Sequence, residues 1–566
     1  MNKRLFLALA LSLGVILLTQ KIFPPMRPPI APTTDSAAHD GANRPAASET
    51  PQAPSAAPQT TGPQTAARPQ AGAIKSDTIS LRTPLVGYRF STTGAAPVDV
   101  ELRQFLRQRE HPEPVTLVHP GAPLLSYEMI AGPDTLRFDS INFDVDSSAT
   151  AGRPALRFQG RSGGAPLSVA YTFAPDSYLV HVEGSIGAAS GDRFVLIHLP
   201  NGLPTSEADT MDDQRHFAFA VKPVADDVHG LPFSKLDNPE VRIERGPLVW
   251  VASKNKYFVV ALLVPKGATP FSAASFQGAP RVGKNVVAAS ATIAVPIGAD
   301  GRFTFDLYTG PQEWRRLVAL GRDFENVNPY GGFLRAIVQP FATIVMQVLL
   351  WMHDKLRLSY GWVLVIFGIV VRIALWPLNQ SAMRTNLRMQ RIQPELQAIQ
   401  KKYRTDPEKM QQELFKLYSA HGMSALSPLY GCLPMLIPMP VLFALFFVFQ
   451  NTIEFRGVPF LWLPDISRYD PWYILPIVMA ASMFLLSWIS LRNSPPNPQA
   501  QTMAYVFPVM MGVLFLRFPA GLNLYYAVQN IAALPQQWLI ARERAQSTPA
   551  TTTAPTAKSP RSARAP

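Results

Sequence analysis

The sequence predicts a polytopic α-helical membrane protein of six spans, joined to a large antiparallel β-sandwich domain outside the cytoplasm. Three observations lead there. Long apolar segments crowd into the region after Asn328, whereas residues from about Ile74 to Leu307 form short β-branched and aromatic runs between turn residues. Only 16 % of the 566 residues are charged, which is low for a soluble chain. The formal net charge of +13 sits largely beside the apolar runs, where it sets membrane topology rather than marking a nucleic-acid surface.

The elements follow in chain order. Leu5–Leu18 is an apolar run behind Lys3 and Arg4, and the residues after it lack a small-x-small cleavage pattern. We therefore expect residues 1–23 to be an uncleaved anchor with a cytoplasmic N-terminus rather than a removed signal peptide. Residues 24–73 carry eleven prolines and almost no large apolar side chain, the composition of a disordered tether. Residues 74–326 read as the β-sandwich, with strand-like runs at Thr135–Val145, Leu167–Phe173, Tyr178–Val182, Phe194–His198, Leu248–Val251, Tyr257–Val264 and Phe303–Tyr308. A helix is expected over Pro311–Leu320. The single cysteine, Cys432, excludes an internal disulfide, so this domain depends on its own core.

Residues 327–360 place Phe341, Ile344, Val345, Val348, Leu349, Met352 and Leu356 at helical spacing opposite Gln347, His353, Asp354 and Lys355, as in a helix lying at a membrane interface. Five apolar stretches follow: Trp362–Leu378, Leu429–Phe449, Trp472–Leu491, Met503–Leu516 and Leu522–Ile540. They define a span at 361–380, four more spans within 428–541, and a basic disordered tail at 542–566. The 381–427 loop holds eight Lys or Arg residues against two in the 450–471 loop, and the tail holds five. By the positive-inside rule that loop and both termini are cytoplasmic, and six spans agree with that count.

Familiar enzyme chemistry is missing. There is no phosphate-binding loop, HExxH, nucleophile elbow or Cys/His cluster, so neither a catalytic site nor a cofactor or metal is expected. Arg372 is the informative residue. It interrupts an apolar span six residues before Leu378, roughly 9 Å inside the cytoplasmic end at 1.5 Å per residue. Its guanidinium either snorkels to the surface or faces a wet cavity in the inner leaflet, and no acidic residue in the other spans neutralises it. In the last span Asn523, Tyr526, Asn530 and Gln537 recur at helical intervals, with Tyr525, Gln529 and Gln536 beside them. Such amides either bond neighbouring helices or line a hydrated furrow, and the stripe's length favours the furrow. Pro428, Pro434, Pro438 and Pro440 interrupt the second core span. Residues 381–427 read as an antiparallel helical hairpin, with Asp406-Pro407 starting its second helix and His421-Gly422 ending it. Its basic face, Arg384, Arg388, Arg391, Lys401, Lys402 and Arg404, is either a solvated surface or a docking surface for ribosome, nascent chain or anionic lipid.

Three stretches together resemble the YidC family of membrane insertases: VRIALWPLNQSAMRTNLRMQRIQPELQAIQKKY, PLYGCLPMLIPMPVLFALFF and FPAGLNLYYAVQNIAALPQQWLI. The resemblance covers about residues 340–541, and the anchor plus β domain resembles the Gram-negative members. It implies a chaperone and insertase of the bacterial inner membrane that promotes insertion, folding and assembly of membrane proteins through a hydrophilic groove, with or without the Sec translocon. Five of the six spans would form the insertase core, and the β domain would lie in the periplasm. Arg372 would be the groove arginine and Tyr525 and Tyr526 the paired tyrosines of the substrate path; the polar stripe read above adds Asn523, Gln529 and Asn530 as further groove residues. The hairpin at 383–420 would be the mobile recruiting element. Partners implied are nascent membrane proteins, the Sec translocon with its accessory subunits, the ribosome and anionic lipid, with no nucleic acid except ribosomal RNA. Arg517, where the family usually has an apolar or aromatic residue, and the short loop Ser494–Gln499 depart from the pattern. A small-solute transporter, or a periplasmic assembly scaffold whose spans only anchor it, are the competing classes.

Overall fold

The computed structural model describes residues 77–547, apart from 109–111, 132–133, 151–152, 163–164, 188–192, 237, 283–285, 329–334, 378–379, 381–391, 405, 422–438 and 492–497. The expected anchor, tether and most of the tail lie outside these residues, as do Pro428, Pro434 and Pro438. All described residues fall in one unit, residues 71–566.

Every strand pairing in the β domain is antiparallel, in a four-stranded sheet from Thr78 to Thr116 and a fourteen-stranded sheet. Period-two sequence makes these strands two-faced. In Ala289–Pro296, for example, every second side chain is buried. Phe258–Leu263 is apolar throughout and buried on both faces, which places it inside the stack. Strands Ser126–Ala131 and Ala165–Phe173 stand second and tenth along the twelve-strand path of the large sheet, yet the Tyr127 and Tyr171 hydroxyls meet at 2.6 Å. The sheet therefore curls back over its own core. The small sheet closes one side, where Tyr88 meets Thr309 at 2.6 Å and Phe90 packs on Tyr171.

Two expectations are corrected here. Thr135–Val145 is not one strand: Asp134–Arg137 is extended, Phe138–Ser140 is a 3-10 turn, and a second strand starts at Asp144. Phe138 is buried, so its apolar signal marked the core rather than an extended backbone. The helix expected from Pro311 begins at Trp314, because Pro311 ends the strand Arg302–Pro311.

Ten α-helices among the described residues are numbered in chain order. In the β domain, α1 (Thr210–Arg215) is capped by the Asp209 carboxylate, and α2 (Trp314–Leu320) stops at Gly321 with φ of +68°. Phe324 and Val327 still belong to the β core, and the helical region begins with α3 (Arg335–Leu356). It continues with α4 (Tyr360–Ala374), α5 (Gln393–Lys402), α6 (Pro407–Ala420), α7 (Met439–Asn451), α8 (Ile474–Leu491), α9 (Pro498–Leu514) and α10 (Ala520–Ser547). The α3 axis, taken from Val338, is bent 118° from α4, and α3 packs on α7. Among the described residues α8 is the one helix long and apolar enough on its own to cross a bilayer. Its Ile477 and Phe484, like Val509 and Val513 of α9 and Val370 and Ile373 of α4, face outward. Outward apolar side chains are what lipid as a solvent permits.

Candidate functional site around Arg372

Helix α10 runs between α4 and α8, and its side chains decide what surrounds Arg372. Tyr525, Gln529 and Gln536 recur at intervals of four and seven, so one face of α10 presents all three to α4. Gly368 permits the approach: a Cβ there would stand 3.0 Å from Val528 Cγ1. Gln529 Nε2 donates to the Gly368 carbonyl at 2.7 Å, and the Tyr525 ring lies 6.0 Å from Phe367.

One helical turn further on, Arg372 Nη2 donates to Gln536 Oε1 at 2.7 Å. Gln536 is fully buried, and its Nε2 donates to the Trp376 carbonyl at 3.4 Å and to Gln380 Oε1 at 3.2 Å. An amide thus holds the guanidinium without cancelling its charge. Arg372 Nε is buried with no hydrogen-bond partner, and among the described residues no carboxylate pairs with this arginine. The positive charge, rather than the neighbouring carbonyls that already accept from Gln529 and Gln536, is what this site offers an acidic group.

The expected polar stripe divides into two faces. Asn523 and Asn530 do not face Arg372. Asn523 Nδ2 donates to the Phe515 carbonyl at 3.1 Å, and Asn530 Nδ2 donates to Ser482 Oγ at 3.1 Å and the Met479 carbonyl at 3.4 Å. Tyr526 is half-buried with its ring 5.7 Å from Phe515. The reason is angular: successive helical residues differ by about 100°, so Tyr525 and Tyr526 look toward different neighbours. For Asn530 the interhelical alternative matches the contacts, whereas Asn523 bonds the 3-10 turn Phe515–Arg517 just before α10. Gln536 was not singled out as a site residue, although its seven-residue spacing from Gln529 marks the same face.

The basic hairpin is present where described. Helices α5 and α6 pack together, with Glu395 near the start of one 4.0 Å from His421 at the end of the other, so they run antiparallel. The Asp406 carboxylate caps α6 by accepting from the Lys409 backbone N–H at 3.1 Å. Lys401, Lys402 and Arg404 are exposed at the turn, whereas Lys409 and Lys416 pair with Asp406 and Glu413. Arg384, Arg388 and Arg391 lie outside the described residues. Among the described residues no three His, Cys, Asp or Glu side chains gather as a metal-ligand set.

The family described as "60Kd inner membrane protein" matches residues 351–547, and "YidC periplasmic domain" matches residues 78–344. The membrane protein insertase YidC of Ralstonia nicotianae is 30 % identical over 578 residues, covering 95 % of this chain and 97 % of that one. That of Syntrophus aciditrophicus is 28 % identical over 568 residues, covering 96 % and 100 %. A crystal structure of active YidC insertase with its first transmembrane domain resolved gives a TM-score of 0.34 at 18 % identity, covering 81 % of this chain and 92 % of that one; a likeness that low carries no weight here. The two family matches and the near full-length relatives agree on one assignment: a large β-rich periplasmic domain followed by a helical membrane region, in a chain that belongs to the YidC family of membrane protein insertases.

Proposed function

We propose that this chain inserts nascent membrane proteins into the bacterial inner membrane by shortening the path their polar segments must cross. The observation that carries the reading is Arg372: a half-buried arginine on an apolar helix, held by the Gln536 amide and paired with no carboxylate among the described residues. An arginine near a span's centre costs roughly 2.5–3.5 kcal/mol in insertion measurements, so a position that keeps one without a counter-charge has a use for it. The charge attracts the acidic or polar flank of an incoming chain into the inner leaflet. The apolar segment then leaves sideways into lipid, and burial of roughly twenty apolar residues drives the step without a nucleotide.

In this proposal six spans place both termini in the cytoplasm. Residues 1–23 anchor the chain and 24–73 tether the β domain. Tyr525, Gln529 and Tyr526 flank the substrate path, with Asn523 and Asn530 fixing α10 against its neighbours. The hairpin with Lys401, Lys402 and Arg404, extended by Arg384, Arg388 and Arg391, receives ribosomes, nascent chains and anionic lipid, and the Sec translocon is a further partner. Arg372→Ala should slow insertion of a single-span substrate with an acidic exported end, and much less that of a neutral-ended one. Equal insertion of both by variant and parent overturns the charge-attraction role. Photocrosslinking from Tyr526 to the nascent chain during insertion, lost once the substrate is finished, tests the path itself.

A further inference from the structure

We propose that the loop between α7 and α8 is a rigid apolar prong seated in the headgroup region of the outer leaflet, where it sets the depth of the helical core. Its assignment to the outer leaflet rests on the topology proposed above. The tip is a two-residue hairpin. Phe460 N–H donates to the Leu463 carbonyl at 2.9 Å, and Leu463 N–H returns a bond at 2.8 Å, leaving Leu461 and Trp462 at the turn. Leu461 has φ of +52°, a left-handed conformation in which glycine or asparagine is ordinarily found, and its side chain is 69 % exposed. Tyr473, with φ of +56°, is likewise exposed and follows Trp472, which is 70 % exposed. A strained turn that spends its exposed positions on leucine and tryptophan is built to show them to something apolar.

The prong is held stiffly. Asp470 is fully buried and takes the Trp462 indole N–H at 3.2 Å, the Trp472 backbone N–H at 3.0 Å and the Leu475 N–H at 2.8 Å, which locks the tip to the start of α8. Ala520 N–H donates to the Arg468 carbonyl at 2.6 Å and Gly521 N–H to the Ile466 carbonyl at 2.8 Å, which locks it to the start of α10. Phe460 packs edge-on against Trp362 of α4, with centroids 5.4 Å apart. The loop therefore connects α4, α8 and α10.

Composition points to lipid as the occupant. The exposed side chains are Leu461, Trp462, Tyr469, Trp472 and Tyr473, with Arg468 exposed among them. Aromatic rings with a polar tip, beside a cation that can meet phosphate, are the side chains of a membrane–water interface. The patch is also continuous with the outward apolar side chains Ile474 and Ile477 of α8. A seat at this level has a consequence for the site. Trp362 and Arg372 are ten residues apart on one helix, about 15 Å along its axis. With Trp362 at the outer interface, Arg372 falls near the middle of a hydrocarbon layer of about 30 Å.

The test uses nitroxide labels at Leu461→Cys and, separately, Trp472→Cys, in the full chain with Cys432→Ser, reconstituted in phosphatidylethanolamine–phosphatidylglycerol vesicles. Both labels should collide more with lipid-dissolved oxygen than with a water-soluble nickel chelate. Dominance of the chelate overturns the proposal. Protection from both reagents also overturns it, because protein then covers the prong, either a segment of residues 1–76 or a second copy. A label at Met211→Cys on the exposed surface of the β domain reports which side faces out, so an error in topology is distinguished from an error about lipid. Because Leu461 is itself replaced, quenching by lipids brominated near the carbonyl checks the unsubstituted tip: it should weaken when Trp462 and Trp472 are changed to Phe.

Discussion

The fold treats Arg456, whose side chain is buried, and the half-buried Arg372 in opposite ways. Arg456, in the loop after α7, is 6 % exposed at its side chain, and its Nε meets the equally buried Glu207 carboxylate of the β domain at 2.9 Å. Its Nη2 donates to the Leu106 carbonyl at 2.8 Å, and the guanidinium lies over the Phe258 ring. Arg372 on α4 receives one amide oxygen and keeps an unpartnered Nε. The first charge is closed by the protein and joins the β domain to the helical region. The second has no carboxylate partner among the described residues, and in the proposed function an incoming chain supplies one. A buried arginine is therefore not a functional signal by itself; the proposal rests on the missing counter-charge.

The largest effect should come from breaking the closed pair. Arg456→Ala leaves Glu207 buried without a cation, and such single deletions cost roughly 3–5 kcal/mol. Thermal unfolding should show the loss, together with faster proteolysis at the junction. The double variant Arg456→Met, Glu207→Leu should recover most of it, because no charge then remains buried. A loss below about 1 kcal/mol in the single variant would remove the contrast between the two arginines.

Glu454 sharpens the comparison at the same junction. One carboxylate oxygen accepts from the Trp314 backbone N–H at 3.1 Å, and the other is buried without a partner. Burial pushes its pKa up to about 7, aided by Glu313 and opposed by Arg315, which itself pairs with Asp354. The folded protein thus holds a proton between the ordinary carboxylate range and about pH 7 that the unfolded chain releases. Stability should fall as pH rises through that window, by an amount on the order of 3 kcal/mol. Glu454→Gln should flatten the dependence in unfolding curves taken from pH 5 to 8. An unchanged slope would place the titration elsewhere.

How much of this was legible in the sequence differs between the two arginines. Arg372 announces itself because an apolar run surrounds it, and the capping pair Asp406-Pro407 announces α6, since both depend on neighbours in sequence. Glu207 and Arg456 are 249 positions apart and each lies in an ordinary polar loop, so nothing local marks them as a pair. The strand periodicity located the β domain but not the turn at Phe138–Ser140, because an alternating apolar pattern reports burial before it reports backbone shape. The polar stripe of α10 was visible as composition. Its division between Gln536 and Asn530 depends on which helices flank it, and that is a tertiary fact.

The open arginine can be closed by one substitution. Gln536→Glu gives up the amide's bonds to Trp376 and Gln380 but places a carboxylate where the amide now accepts from Arg372, and a charged hydrogen bond there should hold the guanidinium by roughly 1.5 kcal/mol more than the amide does. Insertion of acidic-ended substrates should slow about tenfold, which is the same energy read as a rate. Neutral-ended substrates should be spared, a distinction that a merely misfolded variant would not make. Uniform slowing of both would reduce Gln536 to a packing residue.

Asn530 is the matched control on the same helix. It too is a buried amide bonded across a helix pair, through Ser482 Oγ and the Met479 carbonyl, but no charge stands at its other end. Interhelical hydrogen bonds of this kind in bilayers average about 0.6 kcal/mol, because a separated helix finds other partners for its polar groups. Asn530→Ala should therefore lower stability by about that amount and leave the ratio of acidic-ended to neutral-ended insertion unchanged. The ratio is read from one pair of substrates and the stability from thermal unfolding. A shift in that ratio would mean that the α8 side of α10 also senses substrate charge, and the division of α10 into a site face and a packing face would fail.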